Sequence, residues 1–326
     1  MATMTRVAWV ESPLQLVNAV EHAAATGEPL RICMRAHAKQ LQSTADVLEP
    51  HLPEHVEIAG VWNFAYLSPF LLARNRLIGD AYSGQFRLAV ALTGVRDLVV
   101  VDDGSAMLNF AEQVRECRPL ARHGRNERWV SRRLGALASR HLHHTVSIGG
   151  LSIFSAYSDD DELLAVGSAG AKILHNRYRW VRKTKFVKDD DAMHTVVLGS
   201  ALHDDGYVKG GPYREWVRAQ ADSGAGVYFP HRREKAKSLK RYQEIKGLKV
   251  RTAALPIEIV LASSRELHTV VTLPSSVVAT LRNILPEGVE IRVCPVPEEW
   301  LTKRADEALR TTLRRIQSTK GADSSV

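Results

Sequence analysis

The stretch Leu98-Val99-Val100-Val101-Asp102-Asp103-Gly104 decides which fold the sequence predicts. Its four consecutive apolar residues suit a β-strand that is buried on both faces, as the strands of a parallel sheet are. Two carboxylates and a glycine follow at the point where this strand ends. Because ligands of open parallel sheets bind beyond the carboxyl ends of the strands, the acidic turn is a candidate functional site.

Short apolar runs alternate with helix-like segments on both sides of this stretch, a pattern typical of βαβ units. The first strand is predicted at Val7–Val10, and Ser12 is placed to cap a helix that has Pro13 in its first turn. A second α/β series begins at Thr195. The other strands are predicted at Arg31–Met34, Val56–Val61, Val196–Leu198, Val227–Phe229, Val250–Ala253, Val270–Leu273 and Glu290–Val293. We therefore predict an α/β fold with two Rossmann-like lobes.

The boundary between the lobes is predicted in the charge-dense stretch Trp180–Asp191, which is typical of a solvated linker. We expect the first lobe to span residues 1–187 and the second to span residues 188–300. Residues 301–326 are expected to form a C-terminal helix and a flexible tail. The final helix is predicted to run from near Pro297 towards Ile316.

The composition favours a globular protein with anionic partners. Lys and Arg number 44 against 36 Asp and Glu, a net charge of +8, which favours nucleotides, acidic glycans, nucleic acid or anionic membrane. Three cysteines without CxxC spacing argue against a disulfide framework or a zinc site. The sequence shows no signal-peptide pattern and no run of ~20 apolar residues, so we expect a cytoplasmic protein whose membrane contact, if any, is peripheral.

Common nucleotide and hydrolase motifs are absent. A Walker-type loop, a GxGxxG turn after the first strand and a GxSxG elbow do not occur in the sequence. These absences disfavour P-loop enzymes, dinucleotide-dependent dehydrogenases and serine hydrolases.

Polar turns after predicted strands are the candidates for chemistry. Repulsion between Asp102 and Asp103 can raise the pKa of one carboxylate, which would make it a competent general base, whereas an acidic helix cap is the structural alternative. His231, after another strand, could donate to a phosphate oxygen, and Arg232 beside it supplies positive charge. Gly104 allows a tight turn that presents the acidic side chains.

Serine-containing turns complete the set. Ser275 and Ser276 follow a strand and could hold a phosphate at the positive end of the next helix, with an ordinary serine cap as the alternative. The turn Gly199-Ser200 is of the same kind. The segment Ser12-Pro13-Leu14-Gln15 offers a polar first turn in the first lobe.

Several of these turns, in this order, carry a family resemblance. They are Ser12-Pro13-Leu14-Gln15, Asp102-Asp103-Gly104, Leu198-Gly199 with Asp205-Gly206, Tyr228-Phe229-Pro230-His231 with Glu234, Pro256-Ile257-Glu258, and Ser275-Ser276-Val277. Over residues 7–300 the sequence resembles the bacterial sialyltransferase and polysialyltransferase-like glycosyltransferases. The family pattern has a proline after the histidine, and this sequence has Arg232 there.

The resemblance implies a GT-B architecture with a nucleotide-sugar cleft between the lobes. It implies transfer from a CMP-activated nonulosonic acid, such as CMP-sialic acid, to a glycan acceptor, with inversion and with neither a metal nor a further cofactor. Asp103 would be the general base, with Asp102 its neighbour, and His231 would assist the departure of CMP. The implied substrate-binding positions are Gly104, Ser12, Gln15, Gly199, Ser200, Arg232, Glu258, Ser275 and Ser276.

Two alternatives stay open at the level of sequence. One is an enzyme of another nucleotide sugar, including a hydrolase or an epimerase. The other is a non-catalytic basic protein that binds nucleic acid or anionic membrane, for which the aromatic and basic residues of Tyr178–Phe186 are the best feature. A nucleic-acid partner is not expected, because no recognised nucleic-acid-binding motif is present.

Overall fold

The computed structural model describes residues 5–36, 38, 40–62, 69–102, 104, 106–122, 127–186 and 193–318. The chain divides into two compact units, Met1–Phe186 and Val187–Val326. Each unit is built around one parallel sheet with helices in its connections. The prediction of an α/β fold with two Rossmann-like lobes is confirmed.

The first unit contains a seven-stranded sheet in the order β3-β2-β1-β4-β5-β6-β7. All of its strand pairs are parallel. The strands are β1 Arg6–Val10, β2 Leu30–Arg35, β3 Val56–Trp62, β4 Asn75–Ile78, β5 Asp97–Val101, β6 Leu151–Ser155 and β7 Lys172–His175. The strand order reverses between β1 and β4, so the topological switch point of this unit lies between those two strands.

Helices connect these strands. They are α1 Pro13–Thr26, α2 Leu41–Leu48, α3 Pro69–Leu72, α4 Gly84–Thr93, α5 Ala106–Arg115, α6 Trp129–Ser147, α7 Asp161–Ser168 and α8 Arg179–Lys183. A 3-10 turn, Glu49–His51, follows α2. Helix α1 begins as predicted, because the Ser12 hydroxyl accepts a hydrogen bond from the Gln15 N–H and Pro13 occupies the first turn.

The stretch Trp180–Asp191 is not a solvated linker where the structure describes it. Helix α8 packs on α1, and its backbone donates a hydrogen bond to the buried carboxylate of Glu21 at 2.6 Å. The Trp180 indole donates to the carbonyl of His51, and Phe186 is buried against both of those rings. The linker prediction is therefore wrong for residues 180–186, and residues 187–192 lie outside the described part of the chain.

The second unit contains a five-stranded parallel sheet in the order β10-β9-β8-β11-β12. The strands are β8 Thr195–Leu198, β9 Val227–Phe229, β10 Lys249–Val250, β11 Thr269–Thr272 and β12 Glu290–Val293. The helices are α9 Gly210–Asp222, α10 Ala236–Gln243, α11 Ile257–Ala262, α12 Val277–Ile284 and α13 Glu307–Ser318. Successive strand residues belong to two hydrophobic clusters on opposite faces of the sheet, as the alternation of strand side chains requires.

The predicted continuous helix from Pro297 to Ile316 is interrupted. A 3-10 turn covers Glu298–Trp300, and then the buried Leu301 forms an antiparallel bridge with Val208. Helix α13 begins afresh behind Asp306, whose carboxylate accepts a hydrogen bond from a backbone N–H of its first turn. Burial of Leu301 in the second core therefore overrides the helical propensity of this segment.

Candidate active site

The switch point of the second unit brings two of the predicted turns together. Strands β8 and β11 are neighbours, and Leu198 pairs in register with Thr272 at their carboxyl ends. The chain continues as Gly199-Ser200 beyond the first strand and as Leu273-Pro274-Ser275 beyond the second. These turns therefore flank the crevice in which open α/β sheets bind ligands.

Ser275 and Ser276 lie at the start of α12. Ser276 occupies the cap position, yet its side chain makes no capping hydrogen bond, and the Val278 N–H donates to the Ser275 carbonyl at 3.1 Å. Both serines are half-buried. The Ser276 side chain therefore does not make the usual capping hydrogen bond, and the positive end of α12 adds a favourable field for an anion.

His231 follows β9, whose last residue, Phe229, pairs with Leu198 of β8. The backbone N–H of Arg233 donates to His231 Nδ1 at 3.2 Å, so in a neutral ring the proton is on Nε2. Burial, followed by the positive charges of Arg233 and Arg232, lowers the pKa of His231 to about 4. The ring is neutral at pH 7 and offers one N–H donor.

A buried chain of hydroxyl and carboxylate groups ties these turns to each other. The Ser200 N–H donates to the Tyr213 hydroxyl at 2.8 Å, and that hydroxyl lies 3.0 Å from the Tyr228 hydroxyl. Tyr228 donates to Glu234 Oε1 at 2.7 Å, and Glu234 Oε2 accepts the His231 N–H at 2.7 Å. The chain fixes the backbone of the Gly199-Ser200 turn relative to that of the His231 turn.

Glu234 is the centre of this network and has a perturbed acidity. Burial raises the pKa of Glu234 to about 7, although hydrogen bonds from Tyr228 and from the His231 backbone oppose the shift. Sequence reasoning noted Glu234 only as part of a motif and missed Tyr213. Tyr213 lies fifteen positions before its partner Tyr228, and no sequence pattern predicts a hydrogen bond between two tyrosines at that separation.

Gly199 is a glycine because the network leaves no room for a side chain. A Cβ atom there would lie 2.2 Å from Glu234 Oε2 and 2.5 Å from the Tyr228 hydroxyl. Real Cβ atoms essentially never come so close, and both neighbours are held by hydrogen bonds. Steric crowding by Glu234 and Tyr228 is therefore sufficient to explain the glycine at this position.

The remaining predicted positions of the second unit lie outside the hydrogen-bonded chain from Ser200 to Glu234. Arg232 is exposed beside the His231 turn. Glu258 lies in the first turn of α11, and burial raises the pKa of its carboxyl group. Asp205 forms a salt bridge of 2.7 Å with Arg233, the second residue after His231.

In the first unit, Asp102 serves as a structural anchor. Its side chain is buried, and Oδ2 accepts a hydrogen bond from the Ala156 N–H at 2.6 Å. Its carbonyl accepts from Asn18 at 3.1 Å, and Asn18 in turn accepts from Asn176 at 3.1 Å. These bonds tie the end of β5 to helix α1 and to the ends of β6 and β7. Asp103 lies outside the described residues, and Gly104 has the positive φ of 74° that a tight turn requires.

Ser12 and Gln15 have structural partners as well. Ser12 caps α1, and the buried Gln15 accepts the Glu11 N–H at 2.7 Å through Oε1. A Cβ atom on Gly79, beyond the neighbouring strand β4, would overlap the Gln15 side chain. These contacts assign both residues to the packing of the β1–β4 switch point, and they do not show a substrate contact.

Among the residues that the structure describes, no group of three or more His, Cys, Asp or Glu side chains is placed to hold a metal ion. No helix in that same part of the chain is long and apolar enough to cross a membrane.

Solved structures share this architecture at low sequence identity. An α/β-galactoside α-2,3-sialyltransferase from the luminous marine bacterium Photobacterium phosphoreum superposes with a TM-score of 0.55 at 11% identity, and 97% of each chain is covered. A UDP-N-acetylglucosamine 2-epimerase-like protein from Listeria monocytogenes gives a TM-score of 0.52 at 14% identity, covering 98% of this chain and 92% of that one. No protein-family model matches the sequence, and no curated protein matches it. The likeness establishes the GT-B type of fold, with two Rossmann-like lobes.

Proposed function

We propose that this chain is an inverting glycosyltransferase that moves a sialic acid or related nonulosonic acid from a CMP-activated donor to a glycan hydroxyl. The proposed reaction needs no metal ion and no cofactor besides the donor substrate. The observation that carries the proposal is the switch point of the second unit. There, the serine pair at the start of α12, beyond β11, and the imidazole N–H of His231, beyond β9, follow the two strands that flank β8.

The three turns follow neighbouring strands of one sheet. Strands β9, β8 and β11 are consecutive in the sheet, so the outer two are separated by about 10 Å. A phosphate bound above Gly199, which has no side chain, would lie between the His231 turn and the Ser275-Ser276 turn. We propose that the donor phosphate sits there, with Arg232 adding positive charge and Ser200 and Glu258 nearer the nucleoside.

The chemistry follows from how charge develops during the reaction. The acceptor oxygen forms a bond to the anomeric carbon while the bond from that carbon to the phosphate oxygen breaks, and CMP leaves with the electron pair. Asp103 is proposed to take the acceptor proton, with Asp102 anchoring the turn and Gly104 shaping it. Hydrogen-bond donors on the departing phosphate stabilise its growing charge, and one such donor is typically worth about 100- to 1000-fold in rate.

A turnover assay tests the proposal. The intact protein is incubated with CMP-sialic acid and a galactoside acceptor in the presence of a chelator, and NMR follows the anomeric signal. We expect CMP release together with a product of inverted configuration. Retention of configuration, or activity that the chelator abolishes, would overturn the corresponding part of the proposal.

A second candidate is an enzyme that acts on a UDP-sugar. It is favoured by the fold likeness to the UDP-N-acetylglucosamine 2-epimerase-like protein, which is nearly as strong as the likeness to the sialyltransferase. An epimerase converts the nucleotide sugar without an acceptor. Consumption of UDP-N-acetylglucosamine in the absence of a glycan, with no turnover of CMP-sialic acid, would favour this second candidate.

A further inference from the structure

The outer face of helices α4 and α6 exposes large apolar side chains. Leu92 is 75% exposed and Trp129 is 65% exposed, which is unusual for residues of this size. The exposed apolar residues of the two helices are Leu88, Leu92, Trp129, Val130 and Leu137. We call this surface the α4–α6 face.

The two helices lie side by side, so these residues share one surface. Near the helix starts, the Arg87 guanidinium donates to the carbonyl of Ser131 at 3.5 Å. Near the end of α4, a Cβ on Gly94 would lie 3.6 Å from the imidazole of His141. Each helix buries its opposite side in the core of the first unit, which leaves the exposed side chains pointing outwards.

The α4–α6 face is also strongly basic. Neither helix contains an Asp or a Glu. Arg132, Arg133 and Arg140 are exposed along α6, and Arg128 stands exposed immediately before it. The Arg133 guanidinium lies 4.2 Å from the centroid of the Trp129 ring, so an exposed aromatic group and a cation are paired on this surface.

We propose that the α4–α6 face binds the surface of an anionic lipid membrane at the level of the headgroups. Tryptophan and leucine side chains beside arginines are the residues that insert at this depth, where the apolar parts leave water and the cations meet lipid phosphates. Each basic side chain near such a surface contributes about 1 kcal/mol. A protein interface of the ordinary kind is depleted in charge at its centre, whereas here cations and apolar groups alternate.

This surface replaces the one that the sequence suggested. The basic and aromatic stretch around Trp180 and Phe186 packs within the first unit, so its rings are occupied by internal contacts. The α4–α6 face has the same chemistry with its aromatic ring exposed. The proposal does not depend on which nucleotide sugar the protein uses.

Vesicle flotation with the full-length protein tests the inference. Vesicles of phosphatidylcholine alone are compared with vesicles that contain about one third phosphatidylglycerol, at about 50 mM and about 500 mM salt. We expect binding to the anionic vesicles only, and a loss of most of it at high salt. The double variants Leu92→Ser/Trp129→Ser and Arg133→Glu/Arg140→Glu should each lower the vesicle-bound fraction at least about tenfold.

Leu164→Ser is the matched control, because Leu164 is a leucine of helix α7 that is 52% exposed. It should bind vesicles like the unchanged protein, and circular dichroism should show that all variants are folded. The proposal is overturned if anionic vesicles are not bound at low salt, or if the two double variants bind them as well as the control does. Self-association that is lost in those variants, without vesicle binding, would instead identify a contact between copies of this chain.

Discussion

At the scale of single residues, the protonation state of His231 decides how the proposed donor phosphate would be held. Its Nδ1 accepts a backbone hydrogen bond, and two neighbouring arginines oppose protonation. A neutral imidazole therefore donates from Nε2 without carrying charge, and the arginines supply the positive field. The sequence allowed the position of this histidine to be predicted but not its state, because that state depends on burial and on the local fold of the turn.

The titration of His231 can be measured directly. Burial and the Arg233 and Arg232 charges place its pKa at about 4 in the free protein, below the usual value for histidine. We expect the imidazole C–H signal of His231, assigned by its loss in His231→Gln, to titrate near pH 4. A midpoint near the ordinary histidine value would contradict the neutral-donor assignment.

The proposed proton transfer depends on the carboxylate of Asp103. Replacing it in Asp103→Asn removes the base, and such a loss typically lowers the rate by about 100- to 10,000-fold. The affinity for CMP should stay unchanged, because the proposed nucleotide site is in the second unit. Steady-state transfer assays and CMP titrations on the same variant separate the two effects, and unchanged transfer would exclude Asp103 as the base.

At the scale of elements, the hydrogen-bonded chain from Ser200 through Tyr213 and Tyr228 to Glu234 sets the relative positions of two strand-end turns. Sequence patterns predicted the turns one at a time, since each follows an apolar run. The network joins residues from the turn after β8, helix α9, strand β9 and the turn after β9, and such tertiary contacts leave no periodic trace in the sequence. For the same reason the anchoring of Asp102 on Ala156 could not be predicted.

Crowding at Gly199 gives a stability prediction for this network. In Gly199→Ala the new Cβ would displace Glu234 or Tyr228 from its hydrogen bonds, at a cost of about 1–3 kcal/mol or more in the free energy of unfolding. Gly211→Ala is the matched control, because Gly211 lies in helix α9 with no atom within 4 Å of a Cβ. Urea titrations should show the loss for Gly199→Ala only, and equal stability of the two variants would contradict the described packing.

The raised pKa of Glu234 gives the network a pH signature. A carboxyl group that titrates at about 7 in the folded chain and near 4.5 when unfolded favours the folded state below pH 4.5. That contribution is lost as the pH rises to about 7. The free energy of unfolding of the unchanged protein, minus that of Glu234→Gln, should therefore fall between pH 4.5 and 7. Glu21 titrates in the same range in both proteins, so it cancels from the difference. A flat difference would show that Glu234 ionises normally, and a rising one would show that its pKa is lowered in the folded protein, so either would contradict the raised pKa.

At the scale of the whole molecule, the alternation of apolar runs and helical segments was sufficient to predict two parallel-sheet lobes. The clearest predicted strand, Leu98–Val101, is observed as the buried strand Asp97–Val101. Strands β4, β6 and β7 were not predicted. Strand β4 has only two apolar residues after Asn75 and Arg76, serines interrupt β6, and β7 is an edge strand with exposed, polar ends. The switch point of the second unit could not be predicted, because it depends on the order of the strands in the sheet, which a single sequence does not reveal.

The choice of nucleotide tests the central claim most directly. Isothermal titration calorimetry of the intact protein with CMP, UDP and GDP measures the affinity for each nucleotide. The three differ in their base, and CMP also differs from the other two in having one phosphate instead of two. We predict that CMP binds with at least about tenfold higher affinity than UDP, a difference of about 1.4 kcal/mol, and that Ser275→Ala/Ser276→Ala weakens CMP binding. Tighter binding of UDP than of CMP would contradict the account of this protein as a CMP-sugar-dependent glycosyltransferase.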